Sequence, residues 1–345
     1  MRGIPVSLSA KSGNKPQLLV VTDHAFKHLE HERRVAEELG VEFRAYDCTT
    51  ELETIAAIKD ADVVITNFAP FTRNVISTMK PNTAIIRYGI GFDNVDIAAA
   101  NDYGVSVVNV PDYGVETVAD HAAAGILSLT RRLPTYTNLI NENGWARPGD
   151  VGKLPSLRDL TVGLIGFGRI ARALLERLRP FGVSFVVFDP ILDPKVIQQL
   201  GARPVTLDEL AEVSNIVSLH APSTPATRGL VNKVFLDKLP FGAIVVNTSR
   251  GNLINTDDLI EALNSGQVAG AALDVTDPEP LPKESTLHEM PQVILTPHAA
   301  FFDERSLDSL QLLASAEAAR FLRGEAVINL VNQPIQLDKE IASGS

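Results

Sequence analysis

Three side chains in the last third of the chain could move a proton beside a bound carboxylate: Arg250, Glu279 and His298. Imidazole titrates nearest to neutrality, and a carboxylate hydrogen-bonded to it stabilises the imidazolium and keeps a proton available. A guanidinium grips a carboxylate by two parallel hydrogen bonds, which an ammonium cannot do. Each residue follows an apolar run that reads as a strand. Arg250 lies in Asn247-Thr248-Ser249-Arg250-Gly251 after 243–246, Glu279 in Thr276-Asp277-Pro278-Glu279-Pro280 after 269–273, and His298 in Thr296-Pro297-His298 after 292–295. Taken singly, they read as a surface salt bridge, a solvated carboxylate and a satisfied polar histidine. Their recurrence at successive strand ends, where open α/β sheets bind ligands, points instead to a site. An acid, a cationic anchor and a group that tunes the acid are what reduction of a carbonyl by a nicotinamide requires of the protein.

The dinucleotide signal lies upstream. The strand Thr161–Ile165 runs into Gly166-Phe167-Gly168-Arg169-Ile170-Ala171, and an apolar-periodic helix follows. In this G-x-G-x-x-A pattern Gly166 allows the tight turn and Gly168 lets the backbone approach a pyrophosphate. Ala171 is small enough for close helix–strand packing. The phosphates would sit on the free N–H groups of the helix start, Arg169 and Ile170 included. Asp189 closes the next strand, 21 residues after Gly168, where an acidic ribose partner is expected. A carboxylate there repels a 2′-phosphate, so NAD(H) is expected over NADP(H).

The elements that must carry these residues form two βα series. Strands are expected at 18–21, 63–65, 84–86 and 105–108, with helices over 26–39, 51–59 and 72–79; strands alternating with helices indicate a parallel sheet. A long apolar-periodic stretch, 115–133, follows. Further strands are expected at 161–165, 184–188 and 215–219, then at the three runs that precede Arg250, Glu279 and His298. A final helix over 303–323 would return to the first domain. The expected domains are therefore 1–113 plus 303–345, and 114–302. Segment 134–160 reads as an irregular arm. Its Trp145 would be a dimer contact or the one buried anchor of a surface loop.

The chain has 345 residues, 45% of them hydrophobic and 21% charged, with net charge −11. That balance is globular, and it speaks against a general nucleic-acid binder. The single cysteine, Cys48, excludes a disulfide scaffold and a cysteine-cluster metal site. No apolar run is long enough for a membrane span, and residues 1–15 read as a loose leader, not a signal peptide. A cytoplasmic protein is expected. His24, His28 and His31 have the spacing of one helix face and could bind zinc or nickel, but a solvated helix face with no metal is the expectation.

These motifs, with Arg87-Tyr88-Gly89-Ile90-Gly91-Phe92-Asp93-Asn94-Val95-Asp96 and Ala272-Leu273-Asp274-Val275, span about residues 60–300 and resemble the D-isomer-specific 2-hydroxyacid dehydrogenases. The resemblance implies an α/β architecture of two flavodoxin-like or Rossmann-like domains with parallel sheets and the active site in the interdomain cleft. It implies His298 as acid/base, Glu279 as its partner and Arg250 as substrate anchor. The stretch Tyr88, Gly89, Ile90 and Gly91 would bind the substrate carboxylate through backbone N–H groups, as a glycine-rich anion nest can. Cofactor contacts are implied at Thr117, Asp189, His220, Ala221, Pro222, Thr227, Thr248 and Asp274. A homodimer through the NAD-binding domain is implied as well.

Two departures bear on the substrate. The loop Thr66–Thr72 has no Lys or Arg, whereas the phosphoglycerate-specific branch carries basic residues there. The sequence given also stops near residue 345, without the regulatory domain many such enzymes carry. A non-phosphorylated 2-keto or 2-hydroxy acid is therefore expected. Phe68, Phe71, Tyr88, Phe301 and Phe302 could line an apolar pocket, with two of the five expected to touch substrate. Glu279 argues against formate-type chemistry, where the superfamily places Gln. The alternatives are a 3-phosphoglycerate dehydrogenase and an NAD-sensing corepressor like the C-terminal-binding proteins. The short leader and tail disfavour the corepressor.

Overall fold

The computed structural model describes residues 16–335; the expected leader, 1–15, lies outside them. The chain divides into two compact units, Met1–Gly114 with Asp303–Ser345, and Val115–Phe302.

The first unit carries β1 (Leu18–Val21), α1 (Glu30–Leu39), β2 (Glu42–Ala45), α2 (Glu51–Ile58), β3 (Val63–Thr66), α3 (Arg73–Ile76), β4 (Ala84–Arg87), α4 (Ile97–Asp102) and β5 (Ser106–Val108). The strands are parallel in the order β2-β1-β3-β4-β5, the flavodoxin-like arrangement. Both faces of the inner strands β1, β3 and β4 are buried, which is why they read as unbroken apolar runs and not as alternating ones. Leu18, Val20, Val64 and Ile85 pack on one face, and Leu19, Val21, Ile65 and Ile86 on the other. The long C-terminal helix, Glu304–Leu322, belongs to this unit. Its Leu310, Ala314 and Ala318 share a core with Leu19, Ile65 and Ile86.

The second unit opens with α5 (Val115–Thr130) and α6 (Leu133–Asn143). There follow β6 (Thr161–Ile165), α7 (Arg169–Leu178), β7 (Ser184–Phe188), α8 (Pro194–Gln199), β8 (Arg203–Pro204), α9 (Leu207–Val213), β9 (Ile216–Leu219), α10 (Lys233–Leu236), β10 (Ala243–Asn247), α11 (Thr256–Ser265), β11 (Val268–Leu273) and β12 (Val293–Leu295). The C-terminal helix of the first unit is then α12. The seven strands are parallel in the order β12-β11-β10-β9-β6-β7-β8, with the Rossmann reversal between β6 and β9. No helix among the described residues is long and apolar enough to cross a membrane.

The segment expected as an irregular arm is partly regular. A break at Arg131-Arg132, where Arg132 takes φ 54°, ends α5, and α6 runs on to Asn143. Pro134 lies in the first turn of α6, where its missing N–H costs nothing. Trp145 is 76% exposed, so it is not a buried anchor of this chain. The three histidines do not share a helix face. Helix α1 begins only at Glu30, and both ring nitrogens of His31 are engaged, Nε2 with Asp308 at 2.8 Å and Nδ1 with Arg34 at 3.1 Å. No group of residues suited to hold a metal ion occurs among the described residues.

Tyr88 is part of the core rather than of a ligand surface. Its ring is 1% exposed, its hydroxyl donates to Glu32 at 2.6 Å, and its N–H donates to Thr66 O at 2.8 Å. Gln311 Nε2 also reaches the buried Glu32 carboxylate, tying α1, β4 and α12 together. Replacing Tyr88 with Phe removes the short donor to a buried carboxylate. We expect a loss of about 1–3 kcal/mol in chemical denaturation, with substrate KM unchanged. A shifted KM at unchanged stability would return Tyr88 to the binding surface.

Candidate active site

The glycine-rich turn joins β6 to α7. Gly166 has φ 85°, and a Cβ there would press on His220 O at 2.9 Å, so only glycine fits. The N–H of Gly166 donates to Phe188 O at 2.8 Å and that of Phe167 to Asp189 Oδ2 at 2.9 Å. Asp189 Oδ1 accepts from Ile191 and Leu192, both at 3.0 Å. The expected ribose partner therefore also closes the turn that presents the phosphate site. Most helices of the chain are capped by side chains, such as Thr50 on α2, Asp96 on α4 and Asn255 on α11. Helix α7 is capped by Gly168, which has none, and its first turn carries no acidic residue. The positive end of its dipole faces open space, since a Cβ on Gly168 would meet nothing within 4 Å. Thr248 Oγ1 is buried and without a hydrogen-bond partner, as a group waiting for a ligand would be. These features fit a dinucleotide.

Three loops of the same sheet carry the proposed chemistry. His298 Nδ1 and Glu279 Oε1 are 2.7 Å apart, with the two side chains 27% and 43% exposed, so the pair stays open to proton exchange. The bond between Nδ1 and the carboxylate fixes the orientation of the His298 ring. The backbone of His298 is left-handed, φ 53°, an uncommon state for a non-glycine residue. Asp274 holds it there. Its carbonyl accepts from the His298 N–H at 2.8 Å, and its buried carboxylate accepts from Ala299 at 2.8 Å and Ala300 at 3.0 Å. Arg250 is held by Asn247, fully buried at the end of β10. The Asn247 amide donates to Arg250 O at 2.8 Å and accepts from Ser249 N at 3.0 Å. The Asn247 carbonyl also accepts from Asp274 N at 3.0 Å, so the Arg250 and His298 loops share one hydrogen-bonded frame. Gly251 packs directly on the backbone of Thr276 and Asp277, where any Cβ would collide, and so joins the Arg250 loop to the Glu279 loop.

In the other unit, the stretch expected to bind a carboxylate follows β4. Gly89, at φ 137°, uses its N–H on Arg87 O at 2.9 Å. Ile90 and Gly91 N–H make no hydrogen bond among the described residues. Of the four N–H groups expected to bind a carboxylate, those of Tyr88 and Gly89 are thus already used within the chain. The Arg87 guanidinium folds over Gly89, donates to Tyr88 O and stacks on Phe68 at 5.4 Å.

The sequence profile described as "D-isomer specific 2-hydroxyacid dehydrogenase, NAD binding domain" matches residues 123–300. A hydroxypyruvate reductase of Blautia hydrogenotrophica is 35% identical over 305 residues, which is 86% of this chain and 94% of that protein. The chain belongs to the D-isomer specific 2-hydroxyacid dehydrogenase family. A D-3-phosphoglycerate dehydrogenase of Methanocaldococcus jannaschii is 34% identical over 303 residues, 87% of this chain and 57% of that protein. The chain thus spans just over half the length of that relative. The D-lactate dehydrogenase of Aquifex aeolicus, solved with NAD and lactic acid, superposes with a TM-score of 0.81 at 25% identity, over 92% of this chain and 100% of the other.

Within this family member, the structure sorts the expected site residues. Gly166, Gly168, Arg169 and Ile170 form the turn and first turn of α7, and Thr117 lies in the first turn of α5. Ala221 and Pro222 follow β9 beside the turn, and the Ala221 carbonyl accepts from Ser249 Oγ at 2.5 Å. The Thr227 hydroxyl donates to Pro222 O at 2.6 Å, shaping its own loop. Of the five aromatics, Phe71 and Tyr88 are core. Phe68 is 58% exposed, and Phe301 meets the His298 ring edge-on at 6.5 Å. Sequence reasoning missed Asn247 and Arg87 as positioned groups, although both stand inside the motifs that carry the family resemblance.

His220 N–H donates to Ile165 O at 2.8 Å, and its Nε2 pairs with Ser218 Oγ at 2.9 Å. Burial lowers its pKa from 6.5 to about 4. The unfolded chain binds a proton at this residue at a higher pH than the folded one. The stabilisation it contributes is therefore complete above pH 6.5 and lost as pH falls toward 4. Over that window we expect a loss of roughly 3 kcal/mol from this residue in the wild type. In His220→Gln that part of the pH dependence should disappear, as read by urea unfolding at each pH. Parallel wild-type and variant curves would refute the assignment.

Proposed function

We propose that the protein is an NAD-dependent oxidoreductase that interconverts a non-phosphorylated 2-keto acid and the D-2-hydroxy acid. The observation that carries this reading is the 2.7 Å Glu279–His298 pair in the same unit as the glycine-rich turn. The dinucleotide is assigned to the N-terminus of α7, with Asp189, His220 and Thr248 around it. When bound, it supplies or takes the hydride. In the reductive direction, Arg250 holds the substrate carboxylate and polarises the keto oxygen. His298 gives its Nε2 proton to that oxygen as the carbonyl becomes an alcohol. Glu279 stabilises the charged imidazole before transfer and keeps Nε2 aimed. In the oxidative direction, neutral His298 takes the hydroxyl proton.

The preference for a non-phosphorylated acid is supported by the loop after β3. Its first basic residue, Arg73, is committed to Asp102 at 2.8 Å. The hydroxypyruvate reductase matched over nearly its full length points the same way. The second reading, 3-phosphohydroxypyruvate, is favoured by the name of the Methanocaldococcus relative. A homodimer through the second unit is supported by the exposed Leu133, Ile140 and Trp145 on and after α6. The lone, buried Cys48 suits a reducing, cytoplasmic setting.

The deciding experiment ranks kcat/KM for glyoxylate, hydroxypyruvate, pyruvate, phenylpyruvate and 3-phosphohydroxypyruvate with NADH. A non-phosphorylated acid should lead, and His298→Gln should lose about 100- to 10,000-fold in kcat while NADH still binds. Retained turnover in His298→Gln would remove its role, and a lead for the phosphorylated acid would install the second reading. NADH binding without turnover of any acid would favour a sensing protein. Asp189→Ser removes the carboxylate that repels a 2′-phosphate, so the NADH/NADPH ratio of kcat/KM should fall at least tenfold. An unchanged ratio would mean that Asp189 serves only the turn.

A further inference from the structure

Asp274 holds the turn of the acid, but a buried carboxylate must itself be held. Oδ1 of Asp274 accepts from Thr296 Oγ1 at 2.6 Å, and Thr296 Oγ1 lies 3.0 Å from His121 Nε2. A threonine hydroxyl has one proton, and here it goes to the carboxylate. Thr296 Oγ1 must therefore accept from His121, which fixes the proton of the ring on Nε2. His121 comes from α5, on a face of the sheet, whereas Thr296 directly follows β12. The reach is possible because Gly125, one turn further along α5, lies against Ala272 of β11; a Cβ there would come within 2.9 Å of that of Ala272. His121, Gly125, Thr248, Asp274 and Thr296 line a cavity of about 130 Å³.

We propose that His121 and Thr296 are positioning residues for the acid. Acting in series, they fix the Asp274 carboxylate that clamps the backbone of residues 298–300. The left-handed conformation of His298 is costly and persists only where the surroundings over-determine it. Asp274 supplies that constraint through its carbonyl and its carboxylate. Without the Thr296 hydroxyl, the carboxylate can turn within the cavity, and the N–H groups of Ala299 and Ala300 lose their fixed acceptor. His298 then drifts from its productive geometry while the glycine-rich turn, elsewhere in the unit, stays intact. The inference rests on the reading of His298 as the acid.

The test compares Thr296→Val, His121→Phe and the double variant with two conservative variants, Thr296→Ser and His121→Gln, each of which keeps the needed donor or acceptor. With the best 2-keto acid and NADH, the two single variants should lose roughly 10- to 100-fold in kcat. Their KM and NADH affinity should stay near wild type. Because the groups act in series, the double variant should be no slower than Thr296→Val alone. Thr296→Ser and His121→Gln should recover most of the rate, which a packing defect would not explain. Nitrogen-15 spectra of histidine-labelled wild type should show His121 protonated at Nε2. Multiplying losses in the double variant, unchanged kcat in the single ones, or a proton on Nδ1 of His121 would overturn the proposal with wild-type turnover intact. Absence of wild-type turnover on every acid would instead bring down the reading of His298, and this proposal with it.

Discussion

The hydrogen bond between Glu279 and His298 is the contact on which the proposed chemistry depends. An imidazole free to rotate offers either nitrogen in any direction, and a proton donor must be aimed to better than an ångström. Binding Nδ1 to a carboxylate selects one orientation of the ring, the one in which the proposed reaction would use Nε2. The same contact needs both loops to stay put. His298 is held in a left-handed backbone by Asp274, and Glu279 reaches it from a loop that Gly251 lets lie against the Arg250 turn. The orientation of one ring is therefore bought with several backbone hydrogen bonds.

A parallel sheet makes this economical in residues. Strands β10, β11 and β12 are neighbours, about 4.8 Å apart, and all point the same way. Their carboxyl ends deliver Arg250, Glu279 and His298 from segments far apart in the chain to one edge of one layer. Backbone groups that have run out of strand partners at that edge become the frame of the site: Asn247 O accepts from Asp274 N, and Asp274 O from His298 N. The ladder is continued past the ends of the strands by single residues.

The parts of this legible in the sequence are those set by local chemistry. The glycine-rich turn needs a positive φ and a close approach, which only glycine provides, and the buried strands need apolar runs. The conformations that escaped depend on distant partners. Strand β2, Glu42-Phe43-Arg44-Ala45, is an edge strand with polar side chains, and β8 is two residues long, so neither shows an apolar run. Tyr88 adjoins the nest in sequence, but what decides its fate is Glu32 on α1 and Gln311 on α12. The His24, His28 and His31 spacing suggests a helix face, yet the helix starts only at Glu30. The three candidate side chains stand out in the sequence by their place after three strands, whereas Asn247, Thr296 and His121, which join the loops around them, look like ordinary strand-end and helix residues until their partners are known.

The two sheets also show how one topological rule gives two different outcomes. In each, strand order reverses at one point, and a crevice forms there at the carboxyl ends of the strands. In the second unit that point lies between β6 and β9. The turn after β6 is glycine, the loop after β9 presses against it, and the start of α7 is left uncapped, so the donors face outward. In the first unit the reversal lies between β1 and β3, and the chain fills it itself. Asp23 follows β1, and its buried carboxylate accepts from Thr22, Thr66 and Asn67 at 2.9–3.0 Å and from Phe68 N at 2.5 Å. The amides that could have bound an anion there are already satisfied by an internal one. The stretch expected to bind a carboxylate, Ile90 and Gly91, lies instead past the end of β4, one strand further along the sheet. A side-chain carboxylate at a crevice thus decides whether that crevice binds a ligand or braces a loop, and in this chain the choice falls differently in the two units.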